Sequence, residues 1–207
     1  MVSSSLVGSV RRRAARAAFA SLGRAYRWWA LRRRVTDPSR VAAIALKQIR
    51  SSRYCLVVTE SDRGPTARVV EPFPPAADGT IRFGTDPLSR KARDVRRSGR
   101  CLLVYQDDRR RSCVTVDCAA TLEDWPESGS PRFKAMWTAF WPSGPIPQNY
   151  VVVACKPRFM EIWHGTAVVA PEPFGRRSFQ LLRVGGSWIA DEGDDGPQQQ
   201  SSSCKPC

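Results

Sequence analysis

Two hydroxyls and two adjacent cations, Thr85, Ser89, Arg90 and Lys91, fall within one short stretch, Thr85-Asp86-Pro87-Leu88-Ser89-Arg90-Lys91-Ala92-Arg93-Asp94-Val95-Arg96-Arg97. It follows a strand-like run, Ile81-Arg82-Phe83, and reads as a turn feeding a helix. Asp86 or Thr85 caps that helix, because a side-chain oxygen there accepts from otherwise unpaired backbone N–H groups. Pro87 suits the first helical turn, where a missing N–H costs nothing. Free N–H groups, the positive end of the helix dipole and two basic side chains make an anion site best suited to a phosphate. Each charge-assisted hydrogen bond in such a site contributes roughly 1.5–3 kcal/mol. A solvated basic helix start has the same pattern, and spacing alone leaves both readings open.

Other chemistry has little to work with. His164 is the only histidine, so a two-histidine metal site is excluded and a Ser-His-Asp triad would have to use this residue without a nucleophile elbow. No Walker loop or dinucleotide fingerprint is present. No metal site is expected, and a cofactor is the expected reactive agent. Of seven cysteines, Cys55, Cys101, Cys113, Cys118 and Cys155 lie in apolar strand-like runs, where cysteine acts as a small hydrophobe. The odd count points to a reducing compartment. Cys204-Lys205-Pro206-Cys207 is a lone CxxC in a polar tail, without the second ligand pair of a zinc site.

The elements that must position the anion stretch belong to a chain of 207 residues, enough for one domain with a sizeable core. The longest clean apolar run, residues 150–155, is far short of a membrane span, so a soluble protein is expected. Of the formal charge of +14, residues 1–34 carry +9, with nine arginines and no acid. That segment matches an organelle transit peptide, an amphipathic helix on anionic lipid with Trp28 and Trp29 as anchors, or a floppy, non-functional extension. The expected compartment is the cytoplasm, or an organelle matrix or stroma if the segment is a transit peptide. Because the charge excess is terminal, the body need not bind nucleic acid.

Thr36-Asp37-Pro38 opens a helix whose apolar stripe is Val41, Ile44, Ala45 and Ile49. Nine β-rich runs follow, at 54–60, 66–72, 80–84, 100–106, 112–122, 149–156, 158–164, 178–184 and 187–190. Turn signals such as Asp62-Arg63-Gly64-Pro65 and Gly185-Gly186 separate them. Many short strands at this spacing predict an antiparallel barrel or sandwich, mainly β with a few helices. A second interrupting helix is expected over 131–140, with Phe133, Met136, Trp137 and Phe140 on one side. Beyond Glu192 the chain reads as a disordered polar tail.

In order along the chain stand Arg68-Val69-Val70, Phe83-Gly84-Thr85, Ser89-Arg90-Lys91-Ala92, Cys101-Leu102-Leu103-Val104-Tyr105 and Val114-Thr115-Val116-Asp117-Cys118-Ala119. This series resembles the FMN-binding split-barrel superfamily, whose namesake is pyridoxamine 5′-phosphate oxidase. Phe140-Trp141-Pro142-Ser143-Gly144, Tyr150-Val151-Val152-Val153 and Glu161-Ile162-Trp163 look like its general stress protein branch. The resemblance covers roughly residues 40–165, and the Thr…Ser-Arg-Lys-Ala block is its most specific part.

The resemblance implies a six-stranded antiparallel split β-barrel over 36–192, between a basic extension (1–35) and the tail (193–207). It implies a homodimer with a flavin in each of two interface clefts. Arg68, Ser89, Arg90 and Lys91 would hold the FMN phosphate, with Thr85 adding a hydroxyl. The backbone of Val69, Val70 and Glu71 would run along the flavin ring. Ser112 stands where the oxidase branch has a flavin-contacting glutamine, and Trp163 either packs near the ring from the partner subunit or is an ordinary core tryptophan. Residues 179–191 lack the Arg-x-His motif of the vitamin oxidases, which argues against oxidation of pyridoxamine phosphate. Gly84 replaces the usual aromatic before the threonine, and Glu71 puts an acid beside the cofactor path. The implied function is a flavin-dependent oxidoreductase of unidentified substrate, with a nicotinamide electron donor. The alternatives are a non-catalytic flavin-binding stress protein, or a basic membrane- or nucleic-acid-associated protein acting through its arginine-rich arm. Deazaflavin or haem could occupy the same cleft.

Overall fold

The computed structural model describes residues 3–124, 133–172 and 174–191. The start of the expected 131–140 helix, and the tail with Cys204 and Cys207, lie outside the described residues. Ser3–Arg33 form one helix, α1. Its last turns touch the rest: Ala30 is buried, the Tyr26 hydroxyl donates to Gly165 O at 3.5 Å, and Arg34, just past its end, pairs with Glu172 at 3.1 Å. No described helix is long and apolar enough to cross a membrane.

Helix α2, Pro38–Ser51, begins as its sequence predicts, with Asp37 accepting from Arg40 N at 2.9 Å and Pro38 in the first turn. Its buried face is Val41, Ala42, Ala45, Gln48 and Ile49. Gln48 is a buried amide fully engaged by strands. Its Nε2 donates to Tyr105 O at 2.9 Å, and its Oε1 accepts from Ser112 Oγ at 2.9 Å. Because an unpaired buried amide is costly, these bonds fix the seat of α2 on the sheet.

The strands are β1 (Cys55–Ser61), β2 (Gly64–Val70), β3 (Ile81–Thr85), β4 (Arg100–Asp107), β5 (Ser112–Asp124), β6 (Val151–His164), β7 (Phe179–Val184) and β8 (Ser187–Ala190). Helix α3, Arg90–Ser98, joins β3 to β4. All pairings are antiparallel, in the order β2-β1-β4-β5-β6-β7-β8. β3 is added to the N-terminal half of β6. Beyond β2, Phe73 N donates to Arg82 O at 2.8 Å, so a single backbone bond ties the chain after one edge strand to β3.

There are eight strands, not six, and the nine β-rich runs reduce to eight because 149–156 and 158–164 are one strand. Pro157 lies inside β6 opposite Cys118, where the pairing with β5 shifts register between Asp117 and Cys118. Proline has no N–H to give, so the ladder is interrupted without the strand ending. The other edge of β6 changes partner at this point, from β3 along 151–155 to β7 along 159–162. The β7–β8 hairpin turns on Gly185 and Gly186, both at positive φ, as a two-residue hairpin turn of this hand requires.

The barrel interior is lined by alternate strand residues, among them Val57, Phe83, Leu103, Tyr105, Val114, Val116, Met160 and Ile162, and is capped by α2 and by Val95 of α3. Cys55, Cys101, Cys118 and Cys155 are buried free thiols here, and burial pushes the Cys55 thiol up to about 12. A second cluster gathers Phe73, Trp137, Tyr150 and Val152, with Phe133 and Trp141 against it. Around Trp137 the chain makes only a 3₁₀ turn, Ala135–Ala139, with three residues per turn. Phe133 and Trp137 turn inward, while Met136 (75% exposed) and Phe140 (76%) do not. The expected four-residue apolar stripe is therefore half realised.

Candidate anion-binding site

α3 begins three residues later than its proline suggests. Pro87 occupies a turn closed by Ser89 N to Asp86 O at 3.0 Å, and Asp86 Oδ1 accepts from Leu88 N. Ser89 is the cap, its Oγ accepting from Ala92 N at 3.3 Å. Because that oxygen serves as an acceptor, its own proton is left to donate, and Thr85 Oγ1 stands 3.2 Å away. Thr85 itself is buried at the end of β3.

Arg68 projects from β2 onto α3. Its Nη1 donates to Thr59 Oγ1 at 2.8 Å and to Thr66 O at 3.2 Å, and its Nη2 lies 3.7 Å from Asp94 Oδ2. Thr59 Oγ1 donates to the same Asp94 oxygen at 2.7 Å. Arg68, Thr59 and Asp94 thus clamp α3 across β1 and β2. Arg68 Nη2 is nevertheless buried without a hydrogen-bond acceptor. Lys91, half-buried in the first turn of α3, has no ion pair among the described residues. Burial first, and then the charge of Arg68, push its ammonium below the usual lysine range. The charges of Arg68 and Lys91 are thus close enough to repel, and Arg68 Nη2 has no acceptor. Arg90 is exposed and points to the neighbouring groove with Arg93 and Arg97.

β2 is an edge strand. Pro65, which has no N–H, shares its parity with Ala67 and Val69, opposite Glu60, Val58 and Leu56 of β1. Antiparallel pairing alternates, so the backbone groups of Val69 face away from β1 and are open to a ligand. The Val69 side chain is 66% exposed, whereas Val70 packs in the core.

Glu71 is not a free acid. It accepts from Trp137 Nε1 at 2.9 Å and pairs with Lys134 at 3.2 Å and Arg53 at 3.3 Å. The Trp137 N–H is the main cause that holds its carboxyl below the usual range, with the two cations adding. A carboxylate depressed in the fold stabilises it above the unfolded pKa, and that contribution is lost as pH falls through the folded value. Glu71→Gln should therefore cost about 1–2 kcal/mol at pH 7, less than a full charged hydrogen bond because glutamine still accepts from Trp137. The gap between parent and variant should close below about pH 4, as read by urea unfolding with tryptophan fluorescence.

Ser112 and Trp163 are not brought to this place. Ser112 is buried in the α2 seam and engaged by Gln48. Trp163 stands on the outward side of β6, opposite Cys113, with its Nε1 buried and without an acceptor among the described residues. Thr85 pairs with Val151 at the other end of that strand. The separation of twelve residues is about 40 Å of extended chain. His164 Nδ1 accepts from Ala167 N at 3.0 Å, which fits a structural histidine, and burial lowers its pKa. No group of residues that could hold a metal occurs among the described residues. A Cβ on Gly84 would overlap the Tyr150 phenol, which fills the space over this glycine.

Sequence reasoning missed Asp94. Its signal was present, since one acid among five cations of α3, next to the core residues Ala92 and Val95, faces inward by helical spacing.

No protein-family model matches the chain, and no curated protein matches it in sequence. Solved structures do. A pyridoxamine 5′-phosphate oxidase-related, FMN-binding protein from Nostoc punctiforme superposes with a TM-score of 0.53 at 22% identity, covering 76% of this chain and 97% of its own. A protein related to general stress protein 26, of the pyridoxinephosphate oxidase family, from Clostridium acetobutylicum gives 0.53 at 11% identity, covering 70% and 95%. The fold is the split barrel of these proteins. In this split barrel the Arg68–Thr59–Asp94 clamp joins the edge hairpin to α3, so the anion stretch and the open strand edge form one rigid corner.

Proposed function

We propose that the protein binds FMN, with its phosphate at Arg68, Thr85, Ser89 and Lys91 and with Arg90 at the rim between this site and the neighbouring groove, and works as a flavin-dependent oxidoreductase. The observation that carries this reading is the buried, unfilled Nη2 of Arg68, with the half-buried Lys91 close enough for the Arg68 charge to act on its ammonium. A phosphate satisfies both. It would also take the Ser89 proton and the first-turn N–H groups of α3. The outward backbone of Val69, and the chain continuing through Val70 and Glu71, supply polar groups for the ring edge. When bound, FMN supplies hydride or electron transfer with a substrate and a nicotinamide donor. The protein's part is to anchor the phosphate, orient the ring and exclude water.

A second copy of the chain completes the cleft in this reading. Val69, Leu56 and Val104 stand side by side by register on the outer face, next to Val58 and Leu102, and form an apolar patch that a dimer would cover. Trp163 lies at the opposite end of β6 from Val151, the partner of Thr85, so in this reading a second copy supplies the tryptophan. Binding without turnover is the second reading. It is favoured by the acids near the site, since Glu71 and Asp94 are both engaged and neither is free to move a proton.

The test is a visible spectrum of the purified full chain, before and after adding FMN, followed by an assay for NADH and NADPH consumption. A flavin band that stays with the protein supports the assignment, and turnover separates the enzyme from the binder. No FMN binding at tens of micromolar would sink it.

A further inference from the structure

Beside the phosphate anchor lies a groove of about 390 Å³, lined by Ser61, Asp62 and Arg63 from the β1–β2 turn and by Arg90, Arg93, Asp94 and Arg97 from α3. Its volume is within the range of ligand pockets. Its charges do not cancel. Asp94 is committed to Thr59 and Arg68, and Asp62 to Arg97, which also donates to Glu60 O at 2.7 Å. Arg63, Arg90 and Arg93 have no ion pair among the described residues. A solvated basic helix face needs neither concavity nor a second element. Here the hairpin turn brings its own arginine to face those of α3, and the Arg97–Asp62 pair holds the two walls together.

We propose that this groove is a second anion subsite, continuous with the first, and that the preferred ligand carries a diphosphate rather than a single phosphate. The inference rests on the phosphate reading of Arg68 and Lys91 and extends it. Asp94 forms the boundary between the subsites, with Arg68 on one side and the groove on the other. Arg90, Arg93 and Arg97 recur at helical spacing along one face, and the first and last are about 10 Å apart along the axis. That is room for a second phosphate and part of the group attached to it. Guanidinium groups suit this task because they bind phosphate oxygens in pairs. A flavin dinucleotide places its first phosphate where FMN does and sends the second into the groove.

The experiment compares FMN and FAD binding to the full chain and to an R63A/R93A variant, neither residue belonging to the first phosphate set. The parent should bind FAD at least about tenfold more tightly than FMN, and the variant should lose that preference while its FMN affinity stays within about twofold. A parent without preference for FAD, or a variant weakened equally toward both, overturns the proposal. If neither flavin binds, the flavin assignment fails, and the groove is judged with inorganic pyrophosphate against orthophosphate by thermal unfolding. Stronger protection by pyrophosphate in the parent alone supports the subsite, and equal protection overturns it.

Discussion

Lys91→Ala should weaken FMN binding by about 10- to 150-fold, the value of one charge-assisted hydrogen bond of roughly 1.5–3 kcal/mol. Riboflavin, which has the same ring and no phosphate, should bind parent and variant alike. Without ligand, the variant should unfold no more easily than the parent, because burial and the Arg68 charge, which both disfavour the Lys91 ammonium, outweigh the attraction of Asp86. An ordinary structural lysine would give the opposite result. Fluorescence titration with both flavins, and a thermal melt of the flavin-free protein, check all three statements. Equal loss of riboflavin and FMN would mean that Lys91 supports the fold rather than the phosphate.

Asp94 should show stability and affinity moving in opposite directions. Asp94→Ala removes the acceptor of the Thr59 hydroxyl and leaves Arg68 without its carboxylate, both in a buried setting. Breaking a buried pair from one side costs about 3 kcal/mol or more. Asp94→Asn keeps an acceptor for Thr59 and removes only the charge. It should lose less stability and should bind FMN more tightly, by about 1 kcal/mol or roughly fivefold, because a negative charge beside Arg68 has gone. Urea unfolding and FMN titration of both variants test the pair. Weaker FMN binding by Asp94→Asn would show that the carboxylate is needed to aim Arg68.

The anion stretch, the opening of α2 and nearly every strand were legible in the sequence because they depend on local signals. Alternation, caps and turn residues act within a few positions. Misread features depend on contacts that are distant in sequence or on competing local signals. Pro157 looks like a strand break, yet β6 passes through it because β3 and β7 take the two halves of its other edge. Ser89 rather than Asp86 caps α3, since Asp86 is already used by the Pro87 turn. That the Ser112 hydroxyl is engaged by Gln48, sixty-four residues away, is likewise invisible to local pattern. Met136 and Phe140 fit an α-helical stripe that a 3₁₀ turn does not provide. The Arg68–Thr59–Asp94 clamp draws on three elements and could not be seen from any one of them.

The packing of Gly84 against Tyr150 has a consequence for how such a site can change. An aromatic ring lies against position 84 here, but it comes from Tyr150, just before β6, and not from β3. The two positions share one volume, so a larger residue at 84 fits only once the residue at 150 has become smaller. The order of substitutions is therefore constrained. An aromatic residue at 84 calls for a smaller residue at 150 in the same variant.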